Sequence, residues 1–167
     1  MIVRTLPGLP GALWVLGRVR RASTLDADDR RLLLAAYASL LLTDVALRTV
    51  GFRRLMARVP AAAERRVATA QYRRASRFAY WLEVASHRHF VRARCLHRSL
   101  ALHFWLRRKG LPSHLRIGVR KAGRQLLAHA WVEMEGTIVN DEASGIAVFA
   151  TLPGLDAPAA LWNRSGR

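Results

Sequence analysis

The hydrophobic pattern of the chain changes period at Gly110 and Pro112, and this change restricts the fold more than any other feature. Ahead of it, apolar residues recur at helical spacing, and a glycine followed by a proline is typical of a helix end. We therefore predict a helix that ends near Lys109. Beyond the change, apolar and other residues alternate, which predicts strands joined by short turns in an antiparallel meander. The predicted strands cover residues 114–120, 126–134 and 137–141.

The N-terminal part of the chain predicts helices. Thr24 or Asp26 can cap a helix that covers residues 30–50, with acidic residues in its first turn. This helix is apolar around most of its circumference, which favours burial against the rest of the chain or against a partner. A short amphipathic turn over 52–59 and a second helix over 61–83 follow. Helices ahead of a meander predict an α+β fold, with a helical N-terminal region packed on a core of one helix and the sheet.

Charge and cysteine content limit the classes of function. The chain has 28 Lys and Arg against 11 Asp and Glu, a formal net charge of +17, which predicts attraction to polyanions or to an acidic protein or peptide. The basic residues are spread along the chain and match no nucleic-acid-binding module, so no nucleic acid is expected as a partner. A single cysteine excludes an internal disulfide and fits a reducing cytoplasm.

No secretion signal or transmembrane segment is predicted. The first 21 residues carry prolines and glycines within their apolar part, and Arg18, Arg20 and Arg21 follow that part rather than precede it. The longest apolar run, Leu32 to Thr43, is interrupted by Asp44 and is too short to span a bilayer. The positive charge leaves peripheral contact with an anionic membrane surface open.

Cys95 is the only cysteine of the chain, and it falls in the first turn of the helix that precedes the change of period. The positive end of the helix dipole and the neighbouring Arg94 and Arg98 favour the thiolate, which is the nucleophilic form. Most lone cysteines are small buried hydrophobic residues instead. A nucleophile also needs a histidine and an aspartate or asparagine from elsewhere in the chain.

His129 lies within the second predicted strand and is the candidate partner of the thiol. If residues 134–136 form a three-residue loop, Asp141 lies directly opposite His129 on the same face of the sheet. A carboxylate there would hold the imidazole in one tautomer and stabilise its charged form. A two-residue loop would instead place Glu142 opposite His129 and Asn140 on the same face. We favour the three-residue loop, and with it Asp141.

Other polar and aromatic residues near Cys95 and His129 are assigned to packing. Ser99, one helical turn beyond the cysteine, could line the cleft, but the simpler expectation is that it bonds back to its own helix. Trp131 is expected to fill the core rather than to shield the site from water. His97 and His103 are expected to be surface or packing residues.

These motifs together resemble the transglutaminase-like cysteine peptidases of lasso peptide biosynthesis, the leader peptidases often called B proteins. The resemblance covers about residues 94–141, and it depends on the order, the spacing and the helix-to-strand context of the motifs. It implies a papain/transglutaminase-like core with a Cys-His-Asp triad. The matching motifs are Cys95-Leu96-x-x-Ser99-Leu100-Ala101-Leu102, Gly110, Ile117-Gly118-Val119, His129-Ala130-Trp131-Val132-Glu133, Gly136 and Asp141. The implied triad is Cys95, His129 and Asp141.

The resemblance also implies a division of labour along the chain. We predict a helical N-terminal region at 1–85 for docking of a partner and the leader, a transglutaminase-like cysteine peptidase core at 86–155, and a tail at 156–167. Because the first region predicts helices rather than strands, the chain resembles the split form, in which a separate small protein binds the leader. The implied partners are the precursor peptide, this leader-binding protein, and the ATP-dependent lasso cyclase that uses the freed amine.

The implied reaction is leader removal through a thioester on Cys95, with no cofactor. The oxyanion would be held by backbone N–H groups at the helix start, and Gln71 is a candidate side-chain donor by residue type only. His87 and His89 could form a metal pair, but no third ligand lies near, so no metal is expected. Two other functions stay open: a transglutaminase-like acyltransferase with the same core, and a non-enzymatic basic nucleic-acid-binding protein.

Overall fold

The computed structural model describes residues 25–87 and 95–152, so the predicted irregular start at 1–21 and the tail at 156–167 lie outside the described residues. The long helices precede a small antiparallel sheet, a short helix lies between its last two strands in the chain, and the α+β prediction is confirmed. The helices are α1 Ala27–Thr49, α2 Phe52–Met56, α3 Thr69–Ser86, α4 Cys95–Arg108 and α5 Ala143–Ile146. The strands are β1 His114–Ala122, β2 Gln125–Met134, β3 Thr137–Ile138 and β4 Ala150–Thr151, in the order β3-β2-β1-β4.

Helix α1 begins with an acidic cap that is bonded to α3. The carboxylate of Asp26 accepts a hydrogen bond from the backbone N–H of Asp29 at 2.7 Å, while the alternative cap Thr24 lies outside the described residues. From α3, Arg77 donates to Asp26 at 3.1 Å and to Asp29 at 2.8 Å. The indole N–H of Trp81 donates to the same oxygen of Asp29 at 2.8 Å. These bonds fix the start of α1 against α3.

Helix α1 buries one face and exposes the other. Leu32, Ala36 and Leu40 are at most 5% exposed and form part of the core against α3 and α4. On the opposite face, Leu34 is 69% exposed and Leu42 is 68% exposed. By length and composition alone, α1 could span a bilayer, but the core helix of a globular protein meets the same criterion. The predicted burial within the chain therefore holds for one face only.

Buried Asp44 connects α1 to the helix that carries the cysteine. One carboxylate oxygen accepts from Arg48 at 2.7 Å, and the other lies 3.3 Å from Nε2 of His97 on α4. The hydrogen bond from Arg48 holds the pKa of Asp44 below its usual value, although burial acts in the opposite direction. His97 thus makes a contact between two packed helices, as expected for a packing residue.

One hydrophobic core runs through the helices and the inner face of the sheet. Phe78 of α3 and Trp105 of α4 stack with their ring centroids 4.3 Å apart. Leu115 of β1 and Val132 of β2 are buried in the same cluster. The predicted division between residues 85 and 86 therefore separates two regions that share one core.

A two-residue turn joins β2 to β3, so the predicted three-residue loop is wrong. Glu135 and Gly136 both have positive φ, 48° and 75°, as a type I′ turn requires. Such turns suit the right-handed twist of the flanking strands. Glu133 pairs with Ile138 rather than with Thr137, which the longer loop would require. Strand β3 also ends at residue 138, three residues before its predicted end.

Candidate active site

The cysteine lies at the N-terminal end of α4. Cys95 is the first residue of the helix, and it is half-buried. The first N–H groups of an α-helix have no partner within the helix and carry partial positive charge, which favours an anion beside them. Leu100, Leu102 and Leu106 of the same helix are fully buried in the core. The thiol therefore sits on an element that is anchored by packing.

His129 of β2 is hydrogen bonded to Asp141 and to the thiol. Its Nε2 lies 2.5 Å from Oδ2 of Asp141, whose Oδ1 accepts from the backbone N–H of Glu142 at 2.9 Å. This leaves Nδ1 as the nitrogen available to Cys95, which also makes a hydrogen bond to the ring. The structure thus brings the three predicted side chains together in the order thiol, imidazole, carboxylate.

Asp141 reaches His129 by a route that the sequence did not predict. In the observed pairing, a regular continuation of the strands would place Glu142 opposite His129. The backbone N–H of Val139 still donates to the carbonyl of Val132 at 2.9 Å, but the chain bends over residues 139–141. The bend carries the carboxylate of Asp141 to the imidazole. The predicted contact is present although the register on which it was based is wrong.

The electrostatics of the site favour a thiolate beside a charged imidazole. Burial raises the pKa of the Cys95 thiol, but the hydrogen bond and charge of His129 outweigh it, and the pKa falls below its usual value. Hydrogen bonds to Asp141 and to Cys95 raise the pKa of His129 to about 9, against the effect of burial. Burial likewise raises the pKa of Asp141, and the hydrogen bond to His129 brings it below its usual value. At neutral pH the imidazole is therefore protonated.

Arg98 adds a fixed positive charge next to the site. It lies one turn into α4, and its guanidinium forms an ion pair with Glu83 of α3 at 2.5 Å. This charge lowers the pKa of Cys95 and the pKa of Asp141 by a further, smaller amount. The sequence predicted the charge of Arg98 near the thiol, but not the glutamate that holds it.

Aromatic side chains cover one side of the imidazole. Trp131 is 2% exposed, but it does not belong to the main hydrophobic cluster, and its ring centroid lies 6.3 Å from that of His129. It is therefore buried beside the imidazole rather than within the core to which the sequence assigned it. Its indole N–H donates to Glu133 at 2.8 Å. The Phe149 ring centroid lies 5.4 Å from that of His129. Gly118 makes room for this packing, because a Cβ there would lie 2.8 Å from Phe149 and 2.9 Å from Trp131.

Two candidate polar residues lie away from the site. The side-chain oxygen of Gln71 accepts from the backbone N–H of Ala68 at 3.2 Å and from Arg65 at 3.4 Å, so this side chain caps the start of α3. His103 is buried, and its Nδ1 lies 3.0 Å from the hydroxyl of Ser113. Burial lowers the pKa of His103 to about 3, which makes it the neutral packing residue that the sequence predicted.

Ser99 contacts the sheet, which corrects the expectation that it bonds back to its own helix. Its hydroxyl donates to the carbonyl of Ala130 at 2.8 Å and accepts from the side-chain amide of Asn140 at 2.9 Å. The sequence carried a usable signal, because Ser99 shares the buried face of α4 with Leu102 and Leu106. A hydroxyl on such a face needs a partner from another element.

The arrangement supplies the parts of nucleophilic catalysis: a thiolate, an acid–base group and a carboxylate that orients it. In residues 25–87 and 95–152, no group of three or more His, Cys, Asp or Glu side chains is placed to hold a metal ion. His89, one half of the His-x-His pair, lies outside that part of the chain.

Comparison with known proteins agrees with this chemistry. The family model described as the transglutaminase-like superfamily matches residues 39–153, more than half of the chain. No curated protein and no solved structure matches the chain. The matched region includes Cys95, His129 and Asp141, and the superfamily generally comprises cysteine-dependent enzymes. The chain belongs to the transglutaminase-like superfamily.

Proposed function

We propose that the chain is a cysteine peptidase that removes the leader from a lasso peptide precursor, with Cys95, His129 and Asp141 as its catalytic triad. The observation that carries the proposal is the hydrogen-bonded row of thiol, imidazole and carboxylate at the start of α4. The sequence motifs around this row resemble the lasso leader peptidases, and that resemblance supplies the substrate class.

The geometry suggests how the reaction would proceed. The Cys95 thiolate attacks the carbonyl carbon of the last leader residue, and the oxyanion lies at the helix start, where backbone N–H groups favour negative charge. The protonated His129 gives its proton to the nitrogen of the scissile bond, the C–N bond breaks, and the core peptide leaves as an amine while the leader stays on Cys95 as a thioester. His129 then takes a proton from water, which hydrolyses the thioester and frees the thiol. Asp141 holds the ring through Nε2, so that Nδ1 faces the sulfur throughout.

We further propose that the helical region docks a separate leader-binding protein through basic residues. Four arginines of the α3 region are exposed and add to the net charge of +17, which suits an acidic partner surface. These residues are Arg65, Arg66, Arg73 and Arg74. Charge reversal at all four should abolish co-purification with the partner, and unchanged co-purification would refute this docking surface. An ATP-dependent cyclase would then act on the amine that cleavage frees.

Precursor cleavage in the presence of the leader-binding protein tests the function. We expect mass spectrometry to show free leader and free core peptide with the wild type, and intact precursor with Cys95→Ala. The two products together should weigh one water more than the precursor. A product in which the leader is joined to an added amine would indicate acyl transfer instead. Cleavage by Cys95→Ala at the wild-type rate would refute the proposed nucleophile.

A further inference from the structure

Strand β2 loses its partner on one edge at the place where the three reactive side chains meet. Strand β3 ends at Ile138, so within residues 25–87 and 95–152 no strand continues beside His129 on that edge. In an antiparallel pair, the N–H and C=O of one residue face the same neighbour. When such groups are buried and the neighbouring strand ends, other partners must satisfy them. Here side chains satisfy the buried backbone groups of Ala130 and Val132 on that edge.

Ser99 and Asn140 supply these side-chain partners. The hydroxyl of Ser99, which is 0% exposed, donates to the carbonyl of Ala130 at 2.8 Å. Asn140 donates its amide N–H to the same hydroxyl at 2.9 Å, and its amide oxygen accepts from the backbone N–H of Val132 at 2.8 Å. The backbone N–H of Val132 thus bonds to a side chain. If strand β3 continued, the same N–H would bond to the carbonyl of Val139. We call these three hydrogen bonds the Ser99–Asn140 relay.

Each part of the relay lies next to one of the reactive residues. The backbone of Ala130 also forms a hydrogen bond with the thiol, so strand β2 is bonded to α4 through two groups of one residue. The relay therefore joins the helix, the strand and the bend that carry the three reactive groups. The neighbours are Ser99, one helical turn beyond Cys95; Ala130, next to His129; and Asn140, next to Asp141.

We propose that Ser99 and Asn140 are positioning residues, which hold the thiol, the imidazole and the carboxylate together by replacing the strand pairing that β3 does not provide. The inference rests on the triad of the proposed function, but not on the identity of the substrate. Without the Ser99 hydroxyl, the Ala130 carbonyl and the Asn140 amide lose their partners. Helix α4 and the bend can then move away from β2, and the thiolate–imidazolium pair weakens.

Alkylation of Cys95 by iodoacetamide over a range of pH tests the proposal, because the chain has one cysteine and the thiolate is the reactive form. The variants are Ser99→Ala and Asn140→Ala. The matched control is Ser113→Ala, which also removes a buried, hydrogen-bonded hydroxyl, but beyond the far end of α4.

Wild type and Ser113→Ala should keep a thiol that reacts at neutral and mildly acidic pH. Each relay variant should shift the profile upward by about one pH unit, which is roughly a tenfold lower rate on its acidic side. The double variant should shift no further than the single variants, because both changes break one relay.

Wild-type profiles in both relay variants would overturn the proposal. So would an equal shift in Ser113→Ala, because general loosening would then explain the effect. If Ser99→Ala does not fold, Asn140→Ala decides the question alone, since that side chain is only half-buried. A wild-type thiol that titrates like free cysteine would instead refute the triad itself, which separates the two failures.

Discussion

Replacing Asp141 with asparagine should lower the pKa of His129. Asparagine keeps the size and one oxygen that can accept from Nε2, but it removes the negative charge. The bond to Asp141 is the largest contribution that raises the pKa of His129 from its ordinary 6.5 to about 9. That rise corresponds to about 3 kcal/mol in favour of the imidazolium. Because Cys95 also contributes, we expect a fall of about 1–2 pH units, or about 1–3 kcal/mol.

Proton NMR titration of the His129 imidazole measures this change directly, with the resonance assigned by its loss in His129→Ala. The matched control is Glu142→Gln, which removes the neighbouring carboxylate that a regular strand would have placed opposite the ring. The control should leave the pKa of His129 unchanged. An unchanged pKa in Asp141→Asn, or an equal fall in Glu142→Gln, would refute the role assigned to Asp141.

The loss of folding stability caused by Asp141→Asn should depend on pH. The pKa of His129 is raised in the folded state, so its contribution is present below about pH 6.5 and is lost as the pH rises through about 9. The pKa of Asp141 is lowered, so its contribution is present above its ordinary 3.8 and is lost in acid. The difference in free energy of unfolding between wild type and Asp141→Asn should therefore be greatest between about pH 4 and 6.5. Urea denaturation at several pH values measures it.

Two further predictions concern packing. In Gly118→Ala the new methyl group would lie 2.8 Å from Phe149 and 2.9 Å from Trp131, so we expect urea denaturation to show a loss of about 1–3 kcal/mol. Gly145→Ala, which meets nothing within 4 Å, is the control and should cost nothing. Burial lowers the pKa of His103 to about 3, so below pH 6.5 this histidine takes up a proton more readily in the unfolded state than in the folded state. The free energy of unfolding should therefore decrease as the pH falls, by at most about 5 kcal/mol. His103→Gln should reduce this acid sensitivity, and an unchanged dependence on pH would contradict the prediction.

The sequence predicted the elements that have a strong local signal. Gly110 and Pro112 mark the change from helix to strands because both residues disfavour a continued helix, and β1 begins at His114 as predicted. The thiol was placed at a helix start because a helical pattern follows Cys95 directly. These features depend on near neighbours in the chain, so periodicity reveals them.

The features that the sequence did not reveal depend on distant partners or on unusual backbone conformations. Glu135 adopts a positive φ of 48°, which is uncommon for a residue other than glycine, and this shortens the loop by one residue. The bend that brings Asp141 to His129 has no periodic pattern. The partners of Ser99 are 31 and 41 residues away in the chain, so its role follows only from the tertiary structure.

The rate of alkylation of Cys95 at about pH 6, in wild type and in His129→Ala, tests the central claim most directly, because it needs neither substrate nor partner. If the thiol and the imidazole form an ion pair, the wild type should react at least about tenfold faster than the variant at this pH. Equal rates in the two proteins would contradict the account, because the imidazole would then not stabilise the thiolate.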